Sequence, residues 1–315
     1  MSRRRDRARP TIAADRTGRL LLLANRTEIS YWSIRLGSAL AGRLPLPISY
    51  ALADALAELI WRVWGGIRRR TVENMRWVVG ARAEPVGRRA FRNYFEYMVE
   101  FLRFGSTTAA ELDRTVQVRG VEHLHAALAL GRGAIAVGFH IGNIDLGAAV
   151  LARQGYPVKV VVDRFEPARL DRLIQGARAA KGLRLIPLEE APRRALRVLR
   201  AGEVLALLID RPTPGEGVVV DFFGGPIAIP AGAALLALRT GAPVVPCRVS
   251  RRRGTFLAEV APSIDPCALE PAGSRDAVRA LTQRIVAQLE AWVREEPAQW
   301  YPFRPMWLRP YRGDG

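Results

Sequence analysis

The sequence predicts an α/β fold, a mostly parallel central sheet flanked by helices, with an N-terminal helical region that docks on a membrane. Two observations carry the sheet. After Thr115, short apolar runs rich in valine, leucine and isoleucine alternate with helix-length segments, which is how parallel strands joined by crossover helices read. An apolar content of 49% over 315 residues also suffices for one large core with a helical extension.

Residues 1–19 read as a flexible basic arm. They carry the charge of a signal peptide without a clean apolar core or a small-residue cleavage site, so no export is expected. Residues 20–114 form the helical, membrane-associating region. From Tyr31 to Trp64 the pattern is helical with breaks at Pro45 and Pro47. Leu52, Leu56, Leu59, Ile60 and Val63 then make one apolar stripe, with Asp54, Glu58 and Arg62 off it. Trp61 and Trp64 sit beside the stripe, and Arg68, Arg69 and Arg70 follow. Such a helix packs on a core or lies on a lipid surface; tryptophans next to a basic cluster favour the lipid surface. Arg35, Arg43, Asp54, Glu58 and Arg62 interrupt every apolar run before it could span a bilayer. Residues 88–104 repeat aromatics among arginines on a helix, chiefly a core-facing stripe.

The α/β core occupies 115–315. Its strands read VQVRG, GAIAVGFH, VKVVVD, LRLIPL, VLALLID, APVVPCRVS and FLAEVAP, with helices over 166–181, 191–201 and 230–240.

The net charge of +18 calls for an anionic partner, nucleic acid or an acidic membrane. Only Lys159 and Lys181 are lysines, and an arginine bias of this kind is also what a GC-rich genome gives. No zinc finger or RNA-binding sheet signature is present, so nucleic acid is not expected as a partner. Cys247 and Cys267 are too few and too isolated for a disulfide framework or a zinc site, which fits a reducing compartment and no metal. Gly131, Gly133 and Ala136 imitate a dinucleotide fingerprint but precede a strand instead of following one. There is no P-loop and no G-x-S-x-G elbow. His123 and His125, two apart, point different ways on a helix and read as structural.

The stretch from Gly131 to Leu151 organises the rest. His140 emerges at the carboxyl end of a strand, where sites form in open α/β sheets. Asp145 follows in the first turn of the next helix. An imidazole acts as a base when one nitrogen is held by an acceptor and the other keeps its lone pair. Asp145 is the expected holder and Asn143 the expected helix cap, while Gly138 and Gly142 leave room for a substrate to approach the backbone. The competing reading is a turn histidine with a purely structural partner.

A second block runs from residue 205 to 246. A strand ends in Asp210 and Arg211; Phe222, Phe223, Gly224 and Gly225 follow, then Pro230, Gly232 and a small-residue helix into Thr240-Gly-Ala-Pro243. Together with H-I-G-N-I-D at 140–145, this resembles the bacterial lysophospholipid acyltransferase superfamily, in its branch of lipid A late acyltransferases and phosphatidylinositol mannoside acyltransferases. Ile144 replaces the tryptophan of the family's H-x-G-N-W-[DE]. Arg211 stands where the lipid A enzymes usually carry glutamine and the mannoside enzymes arginine. Arg178 and Gly182 fit the family's R-x-x-x-G, Asp163 lies where some mannoside enzymes carry an acid, and Pro297 to Trp307 is similar to the family's P-x-Q-W ending.

The resemblance implies a glycerol-3-phosphate acyltransferase-like fold and a peripheral or monotopic enzyme on the cytoplasmic face of the cell membrane. It implies transfer of a fatty acyl chain from coenzyme A or acyl carrier protein to a hydroxyl of a glycolipid, with a phosphatidylinositol mannoside favoured over lipid A and no cofactor beyond the thioester. His140 would be the base and Asp145 its orienter. Arg178 or Arg211 would meet the oxyanion or donor phosphates, Asp210, Asp163 and Asn143 would contact substrate, and Phe222 and Phe223 would line the acyl groove or simply fill the core. Two other classes stay open: a thioesterase using the same pair on water, and a non-catalytic basic protein on membranes or nucleic acid.

Overall fold

The computed structural model describes residues 30–211, 217–252, 254–268 and 275–311; the basic arm over 1–19 lies outside them. The described helices before the sheet are α1 (30–43), α2 (Leu46–Val63), α3 (Gly65–Val79), α4 (Ala83–Arg103) and α5 (Ala109–Thr115). The break expected at the prolines separates α1 from α2: Pro45 precedes α2 and Pro47 sits in its first turn, where a missing N–H costs nothing.

Which face of α2 is buried differs from the leucine pattern. Ala53, Ala57 and Trp61 point inward, and Trp61 packs on Phe91 with ring centroids 5.5 Å apart. Ile60 leans on the core, but Leu52, Leu56, Leu59 and Val63 face outward, 49% to 73% exposed. Trp61 is therefore an interior residue, whereas Trp64 is exposed. Small residues win the inner face because they let α2 approach α4 closely. The inner residues of these helices, Ala57, Trp61, Met75, Ala90 and Phe91, belong to the same hydrophobic cluster as strand residues Ile135 and Val137. The helical region is thus packed into the core of the sheet.

All seven expected strands are present: β1 (Val116–Arg119), β2 (Ala134–Gly138), β3 (Val158–Val162), β4 (Arg184–Pro187), β5 (Val204–Leu208), β8 (Val244–Arg252) and β9 (Thr255–Val260). They form one sheet in the order β1-β9-β8-β2-β5-β3-β4. Every neighbouring pair is parallel except the β8–β9 hairpin. Between β5 and β8 a separate antiparallel hairpin, β6 (Val218–Phe222) and β7 (Gly225–Ile229), stands where the alternation predicted no strands. Its two turn residues, Phe223 and Gly224, have φ of 51° and 73°, the positive values a tight two-residue hairpin requires.

Side chains alternate across the sheet. On β2, Ile135 and Val137 join the cluster with α9 (Ala191–Arg200), α10 (Gly232–Thr240) and α11 (Arg275–Glu295). Ala134 and Ala136 face α6 (Val121–Ala129) and α7 (Ile144–Arg153). Side chains such as Ile135 and Leu205, fully buried, contribute about 1.5–3 kcal/mol each. The carboxyl ends of β2 and β5 are therefore held firmly side by side.

Candidate active site

The pairing of β2 with β5 builds the site. Their register sets Ala134 opposite Val204 and runs without a slip to Gly138 opposite Leu208; the ladder continues as Ile209 N–H donates to the Gly138 carbonyl at 3.0 Å. His140 and Asp210 therefore leave their strands at matching positions and on the same face. The Nδ1 nitrogen of His140 lies 2.6 Å from Asp210 Oδ1. The backbone N–H of His140 donates to Oδ2 at 2.9 Å, and the indole N–H of Trp300 reaches the same oxygen at 3.3 Å.

The Asp210 side chain is only 5% exposed. Burial alone would push its carboxyl up, but the positive charge His140 carries when protonated, the hydrogen bonds from its ring and backbone, and Arg211 together hold it below the usual carboxylate range. An ionised carboxylate only accepts, so it fixes the proton of neutral His140 on Nδ1 and leaves Nε2 with a lone pair. The His140 side chain is 22% exposed, so a substrate hydroxyl can reach it. The arrangement can take a proton from a hydroxyl and return it to a leaving group.

Asp145, expected to hold His140, is engaged elsewhere. Its two oxygens accept from Arg178 Nε at 3.0 Å and Nη2 at 3.1 Å, and Arg178 Nη1 donates to Gln175 at 3.2 Å. The reason is geometric. Asp145 sits in the first turn of α7 facing α8 (Ala168–Ala180), which supplies a fork matched to a carboxylate, whereas β5 supplies the acid beside His140. Arg178 is accordingly a partner of Asp145 and not an open oxyanion donor. Both side chains are mostly buried, at 15% and 8% exposed, so Arg178→Ala strands a buried charge. Its unfolding free energy should fall by about 3–5 kcal/mol, measured by denaturant titration.

The other expected residues divide. Asp210, expected on substrate, contacts His140. Asn143 occupies the N-cap position of α7 without capping it; its amide donates to Glu100 at 3.0 Å. The space at the two glycines is taken by protein. A Cβ at Gly138 would come within 2.7 Å of the Cys247 carbonyl, and one at Gly142, where φ is 58°, within 1.9 Å of that of Val249. These glycines admit the backbone of β8, not a substrate. Phe222 is buried against Phe139, Trp300 and Trp307, which is core. Phe223 forms the hairpin turn, its N–H held by Glu290 and its ring under Arg294. Asp163 is exposed just past β3, and its backbone carbonyl accepts from Gln175.

Arg211 is exposed, has no ion-pair partner among the described residues, and its field acts on Asp210 and on Tyr94 and Tyr97 of α4. It follows Asp210 directly in the chain, which makes it a candidate cation for the site. Trp300 was missed by sequence reasoning, though it is the tryptophan of P-x-Q-W; nothing local in that motif says that the chain returns to the site, where Ile141 bridges Trp300.

A histidine paired with a buried carboxylate at the carboxyl end of an open α/β sheet is a geometry suited to general-base chemistry. The model of the family described as bacterial lipid A biosynthesis acyltransferase matches residues 21–309. A phosphatidylinositol mannoside acyltransferase of Mycolicibacterium smegmatis is 28% identical over 300 residues, 93% of this chain and 95% of its own. The protein of the same name from Mycobacterium tuberculosis is 32% identical over 235 residues, 71% of each chain. The crystal structure of a 1-acyl-sn-glycerophosphate acyltransferase from Thermotoga maritima overlays loosely, with a TM-score of 0.38 and 15% identity, over 78% of this chain and 97% of that one. The chain belongs to the bacterial lipid A biosynthesis acyltransferase family and is an acyltransferase.

Proposed function

We propose that the chain transfers a fatty acyl group from a thioester of coenzyme A or acyl carrier protein to a hydroxyl of a phosphatidylinositol mannoside-like glycolipid. The single observation that carries the chemistry is the His140–Asp210 pair. Nε2 of His140 takes the proton of the acceptor hydroxyl as its oxygen attacks the thioester carbonyl. The tetrahedral oxyanion collapses, the C–S bond breaks, and the thiolate recovers the proton from His140. Arg211, exposed and unpaired among the described residues, is suited to the oxyanion or the donor's phosphates. The thioester is a co-substrate, and the steps as written use no other cofactor. The mannoside acceptor is favoured over lipid A by the two relatives of that name and by Arg211.

The test is lipid mass spectrometry of a host with and without the gene, paired with the purified chain, a long-chain acyl thioester and a partly deacylated mannosylated acceptor. Loss of one acyl chain in the deletion and its addition in vitro are expected. Release of free fatty acid at the same rate without acceptor would make the chain a thioesterase.

The same reading places the enzyme peripherally on the cytoplasmic face of the membrane. No described helix is long and apolar enough to cross one. The support is the outward face of the first two helices: Trp32, Leu36 and Leu40 at helical spacing on α1, with Leu52, Leu56, Leu59 and Val63 on α2, all about half exposed or more. An apolar face this wide marks an interaction site, and the net charge of +18 suits anionic lipid. The chain should bind anionic vesicles and be partly released by high salt, because exposed charge is screened. The Leu52→Glu/Leu56→Glu protein should bind about 100-fold more weakly from lost apolar burial. Unchanged partitioning in a sedimentation assay would remove this platform.

A further inference from the structure

Beneath the turn that carries His140 lies a buried polar cluster that the transfer chemistry does not use. Glu100 of α4 is buried. Its Oε1 accepts from Tyr50 at 3.0 Å and from Arg251 Nε at 2.6 Å, and its Oε2 accepts from the Asn143 amide at 3.0 Å. Arg251, in β8, is also paired with Glu96. Gln299 brackets the Arg251 backbone, accepting its N–H at 2.7 Å and donating to its carbonyl at 3.0 Å, while the Gln299 carbonyl accepts the Gly142 N–H at 2.9 Å. The segment from His140 to α7 is thus gripped twice, at Gly142 by Gln299 and at Asn143 by Glu100, and both grips converge on Arg251.

The grip at Asn143 is made against local stability. An asparagine at the N-cap position would ordinarily satisfy an orphan N–H of its helix, yet this one caps nothing. Its Oδ1 is buried with no hydrogen-bond partner among the described residues. Burial pushes the Glu100 carboxyl up, with Arg251, Asn143 and Tyr50 opposing. A destabilising arrangement of this kind persists where the surrounding structure needs one geometry, and three residues before Asn143 stands the base.

We propose that Glu100 is a positioning residue for acyl transfer: acting through Asn143, it fixes the turn that aims His140 Nε2 at the acceptor hydroxyl. The role rests on the general-base reading above. It follows from geometry because, among the described residues, the His140 ring is anchored on one side only, at Nδ1, so its aim depends on where the turn sets its backbone. A misplacement of about 1 Å costs about 100-fold in rate.

The test compares Glu100→Gln with Glu96→Gln. Each leaves Arg251 one carboxylate, so neither strands a buried cation. Glu100→Gln should lower kcat about 100-fold with KM for the thioester unchanged, while Glu96→Gln, which does not contact Asn143, should stay near wild type. Asn143→Ala approaches from the other partner and should lower kcat alike. The double variant Glu100→Gln/Asn143→Ala should be no worse than either single one. Proton NMR supplies a readout independent of turnover. The downfield His140 Nδ1 proton, bonded to Asp210, should be sharp in the wild-type and Glu96→Gln proteins and broadened or shifted in Glu100→Gln. A folded Glu100→Gln protein with wild-type kcat and an unchanged Nδ1 proton overturns the proposal, as do strictly additive losses. If the wild-type chain transfers no acyl group, the general-base reading fails, while the NMR comparison still decides whether Glu100 sets the His140 turn.

Discussion

A His140→Ala protein is expected to fold normally and to lose about 100-fold to 10,000-fold of its acyl transfer, the range that general-base assistance contributes. The fold should survive because the ring is partly exposed and, among the described residues, its one polar contact is with Asp210. Asp210 keeps two donors after the substitution, the backbone N–H of residue 140 and the Trp300 indole, so no buried carboxylate is left bare. Neither other histidine can substitute: His123 and His125 lie in α6, which precedes β2 and runs back to its start. Activity is measured with a long-chain thioester and a mannosylated acceptor, and folding by circular dichroism. Near-normal transfer by a folded His140→Ala protein would leave His140 a structural turn residue.

The sequence made the seven strands legible because each is a short run of branched apolar residues between helix-length segments, and it set His140 just past a strand end, as the structure has it, a place where open sheets form sites. It left the partner of His140 hidden, for a topological reason. Asp145 is near in sequence, but β2 pairs in the sheet with β5, not with β3, so the residue opposite His140 comes from a strand three crossovers later. Strand order is a long-range property with no local sequence signal. Gly142 misled for a related reason: a glycine that admits a backbone reads the same whether the backbone is a ligand's neighbour or β8. The α2 stripe misled in a third way. Periodicity finds an apolar face without saying whether core or solvent lies against it, and here the alanine face goes inward.

The two acids assigned to His140 by sequence and by structure separate cleanly in a second experiment. Asp210→Asn should fold, since the amide has the shape of the carboxylate and its oxygen can still accept from the His140 N–H and Trp300. It should nonetheless lose transfer by up to about 10,000-fold, the scale seen when the orienting aspartate of a Ser-His-Asp triad becomes asparagine. An amide can present its NH2 group to Nδ1, which moves the ring proton to Nε2 and removes the lone pair that must take the hydroxyl proton. It also cannot balance the charge of the imidazolium that follows. Asp145→Asn should behave in the opposite way. It breaks the two-bond pair with Arg178 and leaves a mostly buried guanidinium without its counter-charge, so its stability should drop by about 3–5 kcal/mol, while the folded fraction keeps most of its kcat because His140 retains Asp210. Plotting kcat against the denaturation midpoint should therefore set the two variants at opposite corners. An Asp145→Asn protein that is stable and inactive, beside an Asp210→Asn protein that still turns over, would return the orienting role to Asp145 and reduce the 2.6 Å contact with Asp210 to a structural hydrogen bond.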